Sequence, residues 1–125
     1  MPTPVVLELN GVRLTGELYD SEAGRAIAEL LPLTMSLSRW GEEFYGSVGA
    51  QVGPFGGKQR SKMAVGELGY WEPGNAFCLF WGPTPASHGD EPRAASEASP
   101  LGKVDGDWNA VSALGGSARA TLSRA

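Results

Sequence analysis

The apolar positions of this chain change their period several times, and the changes mark out its elements. Val5, Leu7 and Leu9 fall on one side of "VVLEL", the two-residue alternation of a strand. Asn10-Gly11 follows, a pair that accepts the positive φ of both central residues in a type I′ hairpin turn. The return strand sets Val12, Leu14, Gly16 and Leu18 against Arg13, Thr15, Glu17 and Tyr19. One face of this hairpin is therefore expected to be buried. The period then lengthens: Ala23, Ala26, Ile27, Leu30 and Leu31 stand at i, i+3, i+4, i+7 and i+8, one apolar stripe of a helix about three turns long. Asp20 or Ser21 can cap its first amides, Glu22 suits the positive end of its dipole, and Pro32 stops it.

Alternation returns in "LTMSLS", where Leu33, Met35 and Leu37 oppose Thr34, Ser36 and Ser38. "EFYGSV" reads as a further short strand approached through Trp40 and Gly41. Residues 49–62, with four glycines, a proline and three basic side chains, read as a loop long enough to be functional or mobile. "GELGYW" and "AFCLFW" are two strands around "EPGN", where Pro73-Gly74 fits a type II turn. The second strand is apolar on both faces, with Phe77, Leu79 and Trp81 against Ala76, Cys78 and Phe80. Such a strand is covered on both sides of a sheet, or has one face inside a barrel and the other under a helix or loop. Residues 82–100 are polar, proline-rich and without a period, a surface connection. "LGKV" then reads as a short strand, Trp108, Val111 and Leu114 as the inward side of a helical turn, and "SARATL" as a last strand. Seven or eight short strands with one helix point to a small closed barrel.

Composition narrows the class. With 125 residues, 42% hydrophobic and 19% charged, the chain suits one globular domain spanning residues 1–125. Its 18 glycines and 9 prolines fit many turns better than a helix bundle. A net charge of −4 with scattered basic residues argues against nucleic acid as a partner. One cysteine forms no internal disulfide. No apolar run is long enough for a signal peptide or a membrane span, so the expected setting is cytoplasmic, with no membrane partner.

The motifs that carry chemistry elsewhere fail here on spacing. "GPFGGK" has three residues between Gly53 and Gly57 and Gln59 after Lys58, whereas a phosphate loop needs four and then Ser or Thr. "YGSVG" has Tyr45 where a nucleophile elbow needs glycine. His88 is the single histidine, and one His with one Cys offers no zinc spacing, so no metal and no cofactor are expected. Glu42-Glu43 and Asp90-Glu91 read as wet surface, and Cys78 as a small buried apolar residue. The aromatics are the informative set. Trp40, Phe44, Tyr45, Tyr70, Trp71, Phe77, Phe80 and Trp81 come from at least three strands. Half or more belong to a core, and any that turn outward together would make an apolar groove with polar handles.

Three stretches carry a resemblance: "GELYDSEAGRAIAELLPLTMSLSRWGEEFYGSV", "VGELGYWEPGNAFCLFWGPTPAS" and "LGKVDGDWNAVSAL". Their order resembles the small prokaryotic branch of uncharacterised cyclophilin-like proteins, with "LPLT" and "YWEPGNAFCLFWGPTP" as its specific parts. The resemblance implies a mainly β fold: a closed eight-stranded barrel with one clear helix, a short second helical turn and a groove on one side. In prolyl isomerases of this fold the groove holds an arginine after a Phe-His pair, a downstream glutamine and several aromatics. Here Gly46 or its neighbours stand at the arginine's place, Gln51 could take the glutamine's, and Phe77 or Phe80 could supply the phenylalanine. Arg39 or Arg60 would have to reach in from elsewhere.

The arginine matters because amide resonance sets a barrier of about 18–20 kcal/mol, which a cation near the prolyl nitrogen lowers. The expected function is therefore a barrel that binds a peptide segment or small molecule in an aromatic groove with little or no catalysis. The alternative is a peptidyl-prolyl isomerase with an atypical site. A third, resting on fold analogy, is a relative of amide-hydrolysing enzymes that share this barrel. The expected groove residues are Tyr45, Gln51, Tyr70, Phe77, Phe80, Trp81 and His88, with Arg39 outside the set. An exposed groove of this kind would equally serve a homodimer.

Overall fold

Residues 1–125 are described by a computed structural model. Strands β1 (Thr3–Leu9) and β2 (Val12–Leu18) form the expected hairpin. Asn10 and Gly11 take φ of 47° and 91°, the positive values that suit this pair. Helix α1 (Glu22–Ala28) starts at Ser21, whose side chain accepts from the Gly24 N–H. It is shorter than its apolar stripe: Leu30 and Leu31 donate to Ile27 and Ala28 in a tightened last turn. Both still pack on the core.

Next come β3 (Leu33–Arg39), β4 (Glu43–Ser47), β5 (Arg60–Lys62), β6 (Glu67–Trp71), β7 (Ala76–Phe80), β8 (Arg93–Asp105), α2 (Trp108–Ser112) and β9 (Ser117–Arg124). Hydrogen bonding runs β2-β1-β9-β3-β4-β7-β6-β8, and β8 then pairs with β2. Eight antiparallel strands thus close into a barrel, and β5 attaches to β8 outside the ring. No helix is long and apolar enough to cross a membrane.

Two expectations are corrected. The polar run 82–100 is not all connection, because β8 begins at Arg93 and extends through Pro100 into "LGKV". Ala94 and Ala98 are buried over Met63 and Phe80, so packing holds as a strand a segment with little strand propensity. The turn at "EPGN" is not type II. Glu72–Gly74 form a 3-10 turn, and the left-handed residue is Asn75, at φ 47°, rather than Gly74. Asparagine tolerates that conformation. The Asn75 side chain is also held, donating to the Ala50 carbonyl and accepting from the Tyr70 hydroxyl.

The strand that reads as apolar on both faces behaves so. All five residues of β7 are buried. Phe77 and Leu79 point into the barrel with Leu68, Tyr70 and Phe44. Ala76, Cys78 and Phe80 face outward into a second, smaller apolar cluster with Met63, Ala94 and Ala98. The first half of β8 and the approach to β6 supply that outer cover.

Closure of the ring depends on close backbone approach at the β2–β8 seam. A side chain on Gly16 would collide with the Lys103 carbonyl and Val104 Cα, and one on Gly102 with the Glu17 carbonyl and Leu18 Cα. Neither obstacle is a movable side chain. Gly16→Ala or Gly102→Ala is therefore expected to cost roughly 1–3 kcal/mol in denaturant unfolding. Gly115→Ala, with open space around it, should be close to neutral. Equal midpoints for all three variants would mean that the seam is not the tight point of the barrel.

Candidate functional site

Alternation along β4 sends Phe44 inward and leaves Glu43 and Tyr45 on the outside of the barrel wall. Register places Tyr45 beside Cys78 of β7, and Cys78 beside Gly69 of β6. Trp71, at the end of β6, stands on the same outer face, and its indole N–H donates to Ser96 at 2.7 Å. The polypeptide from β3 into β4 carries Trp40, whose N–H is held by the Glu43 carbonyl at 2.9 Å. Ala94 and Ala95 of β8 complete the wall. These seven residues line a cavity of about 180 Å³. Clefts near Tyr19 and beside Pro54 are larger but are lined mainly by polar groups.

Glu43 is the unexpected member. Rather than wet surface, it is 4% exposed. Its Oε1 is the one buried side-chain nitrogen or oxygen without a hydrogen-bond partner. Burial pushes its carboxyl up to about 8, only partly opposed by the neighbouring Cys78 thiol. Cys78 is raised well above its ordinary value, first by its own burial and then by Glu43. At neutral pH both groups in the empty cavity hold their protons. The pair is therefore a neutral acid and a thiol under an aromatic rim, not an activated nucleophile.

The other buried glutamate shows what Glu43 lacks. Burial alone would raise Glu67, but Arg60, the Ala64 N–H and the Tyr19 hydroxyl outweigh it and hold its carboxyl below the ordinary range. Arg60 grips it through two nitrogens, at 2.8 and 2.6 Å, and Tyr19 donates at 2.9 Å. Tyr19 itself is raised to about 12, by burial first and then by the bond to Glu67. This cluster fixes β5 and the end of the 49–62 loop to the barrel. It is a structural tie.

Of the aromatics and polar residues expected to form one groove, only Tyr45 lines this cavity. Tyr70 and Phe77 are barrel core, and Phe80 is packed in the outer cluster. The Tyr70 hydroxyl accepts from Gly53 and donates to Asn75, pinning the 49–56 loop, and Phe55 meets its ring edge-on at 5.1 Å. Trp81 is also core: it lies 5.2 Å from Phe44, and its indole N–H donates to Ser112. Gln51 is exposed and turns back to the Gly53 carbonyl. His88 sits in an exposed loop, with its backbone N–H on the Glu91 carboxylate, which that bond and Arg93 lower to about 2. Arg39 does not enter the cavity. It donates to the carbonyls of Gly41, Ser112 and Leu114 and to Glu42, and lies 5.4 Å over the Trp81 ring.

Sequence reasoning missed Glu43, Trp40 and Trp71 as partners. The available signal was the alternation of "EFY", which puts Glu43 on the same face as Tyr45 and opposite the core Phe44. The cover over that face comes from β8, in the segment whose pattern reads as loop, so nothing local shows Glu43 to be buried.

The cyclophilin-like family model matches residues 3–123. The chain belongs to the cyclophilin-like family. Among solved structures, this cyclophilin-like protein is similar to the hypothetical protein AF2241 from Archaeoglobus fulgidus: TM-score 0.79 and 28% identity, over 99% of this chain and 95% of that one. It is also similar to McbB in complex with tryptophan: TM-score 0.69 and 16% identity, over 96% of this chain but 44% of McbB. The latter likeness speaks for a shared fold. No curated protein matches the sequence.

Two outcomes test the assignments. Glu43 ionises near 4.5 when unfolded but near 8 in the fold, so between those values the folded state holds the extra proton. Its contribution is undiminished below pH 4.5, is lost as pH rises to about 8, and is then constant. Glu43→Gln lacks this loss, and its stability relative to wild type should climb by on the order of 5 kcal/mol across that interval. A pH-independent difference would place Glu43 in water. Trp81→Ala should cost about 3–5 kcal/mol as a core truncation, and a wild-type melt for that variant would return Trp81 to the surface.

Proposed function

We propose that this cyclophilin-like protein is a binding module for a small, one-ring ligand, held on the outer face of the barrel between β4, β6, β7 and β8. A single observation carries this reading: Glu43, a buried carboxyl with one oxygen left without a partner, is among the residues that line an otherwise apolar, aromatic cavity. Buried polar atoms in folded proteins are nearly always satisfied. A ligand group that bonds to Glu43 would remove the deficit while its apolar body covers Trp40, Tyr45 and Trp71. The size agrees, since an apolar cavity of roughly 150 Å³ accommodates benzene. Rigid strands hold Glu43, Tyr45, Trp71 and Cys78 in register, which limits the ordering cost of binding.

Binding without prolyl isomerisation is supported by the position of the cations. The seven lining residues include no arginine or lysine. Arg39, which would have to supply the electrostatic stabilisation, is spent on three carbonyls and Glu42 at the α2 end of the barrel.

The four tryptophans separate the possibilities. Titration with phenethylamine or phenethyl alcohol should move the indole N–H signals of Trp40 and Trp71 saturably in two-dimensional NMR. Those of Trp81, in the core, and Trp108, on α2, should stay still. Absence of any saturable shift at millimolar ligand, or shifts confined to Trp81 and Trp108, would overturn this site.

A further inference from the structure

We infer that the group seated against Glu43 is a protonated amine carried on a single ring, and that it enters as Glu43 gives up its proton to solvent. This rests on the small-ligand reading above and names the class of ligand.

The lining leaves few choices. Trp40, Tyr45 and Trp71 are three aromatic side chains around one carboxyl, and the remaining walls are Cys78, Ala94 and Ala95. Aromatic faces carry negative potential and attract ammonium groups, more strongly where water is excluded. A carboxylate behind them supplies a formal counter-charge. An anionic ligand would meet Glu43 and three aromatic side chains with no lining cation. A neutral hydroxyl or carbonyl could bond to the protonated acid but would gain nothing from the rings' electrostatics. Only a cation uses both features.

The groups facing Glu43 can be named element by element. β7 presents the Cys78 thiol, which stays protonated, and β4 presents the Tyr45 phenol. Trp71 of β6, Ala94 and Ala95 of β8, and Trp40 carry no titrating group. Glu42, the neighbouring acid, is paired with Arg39 at 3.0 Å. Glu43 is therefore the charge that answers the ligand. The proton count follows: an ammonium keeps its three N–H donors, Glu43 loses one proton to water, and the pair is neutral inside. In the empty protein that proton stays bound up to about pH 8, so binding below this value releases it. Affinity for the amine then rises with pH and levels off once Glu43 is already ionised.

Three near-isosteric probes test this by calorimetry and by the Trp40 and Trp71 signals: phenethylamine, phenethyl alcohol and phenylacetamide. Phenethylamine at pH 8 is expected to bind at least tenfold more tightly than either neutral compound. Its affinity should rise close to tenfold per pH unit from pH 6 to 7.5, and buffers of different ionisation enthalpy should report about one proton released. In Glu43→Gln, checked for a cooperative melt, the preference for the amine should vanish while phenethyl alcohol binds within about threefold of wild type. Equal or tighter binding of alcohol or amide, or an amine preference that survives in Glu43→Gln, would overturn the amine assignment and leave the pocket standing. If none of the three compounds shifts Trp40 or Trp71, the pocket reading itself falls.

Discussion

β7 must be covered on both faces, and the architecture follows from that constraint. Five consecutive buried residues at its centre cannot sit in a sheet with one side in water. The barrel closes around Phe77 and Leu79, and a second layer from β8 and the β5 region closes over Ala76, Cys78 and Phe80. That second layer turns an ordinary barrel wall into one with a roofed outer face. Where the roof stops short, between Ala94 and Ala95 on one side and Trp40 and Tyr45 on the other, the cavity opens. The pocket is thus a consequence of covering β7, and its floor inherits the rigidity of a central strand.

The two buried glutamates divide the chemistry of the protein. Glu67 has every requirement of a structural charge: a two-pronged arginine, a phenol and a backbone amide. Such a set offsets desolvation and keeps the group ionised. Glu43 has a thiol and an unanswered oxygen. A group left in that state destabilises the fold relative to an apolar replacement. Unsatisfied polar groups concentrate where something else completes them. The contrast within one small barrel is more informative than either residue alone, because both lie on the outer face of the two strands that flank β7.

Shared architecture does not by itself transfer chemistry. In this member of the cyclophilin-like family the arginine nearest the barrel's aromatic cluster, Arg39, ties β3 to the end of α2 and stacks on Trp81. Trp81 and Tyr70, each with a polar tip suited to a ligand, spend those tips on Ser112 and on the 49–56 loop. An aromatic side chain with a hydrogen-bonding end looks the same in sequence whether its partner is a ligand or a neighbouring loop.

The sequence by itself determined the local elements: the Asn10-Gly11 hairpin, the capped helix at Ser21, the alternating strands and the doubly apolar β7. Each is set by short-range sterics or by periodicity, which are visible within ten residues. The barrel class followed from counting such strands. Tertiary structure alone decided which outward-facing residues are dry. The segment 93–98 becomes a strand because Ala94 and Ala98 find Phe80 and Met63, contacts distant along the chain. On the outer face beside that segment Glu43 is buried, while its neighbour Glu42 stays partly solvated in an ion pair. Two identical residues side by side thus acquire different chemistry, since burial is a property of what folds over a position and not of the position itself.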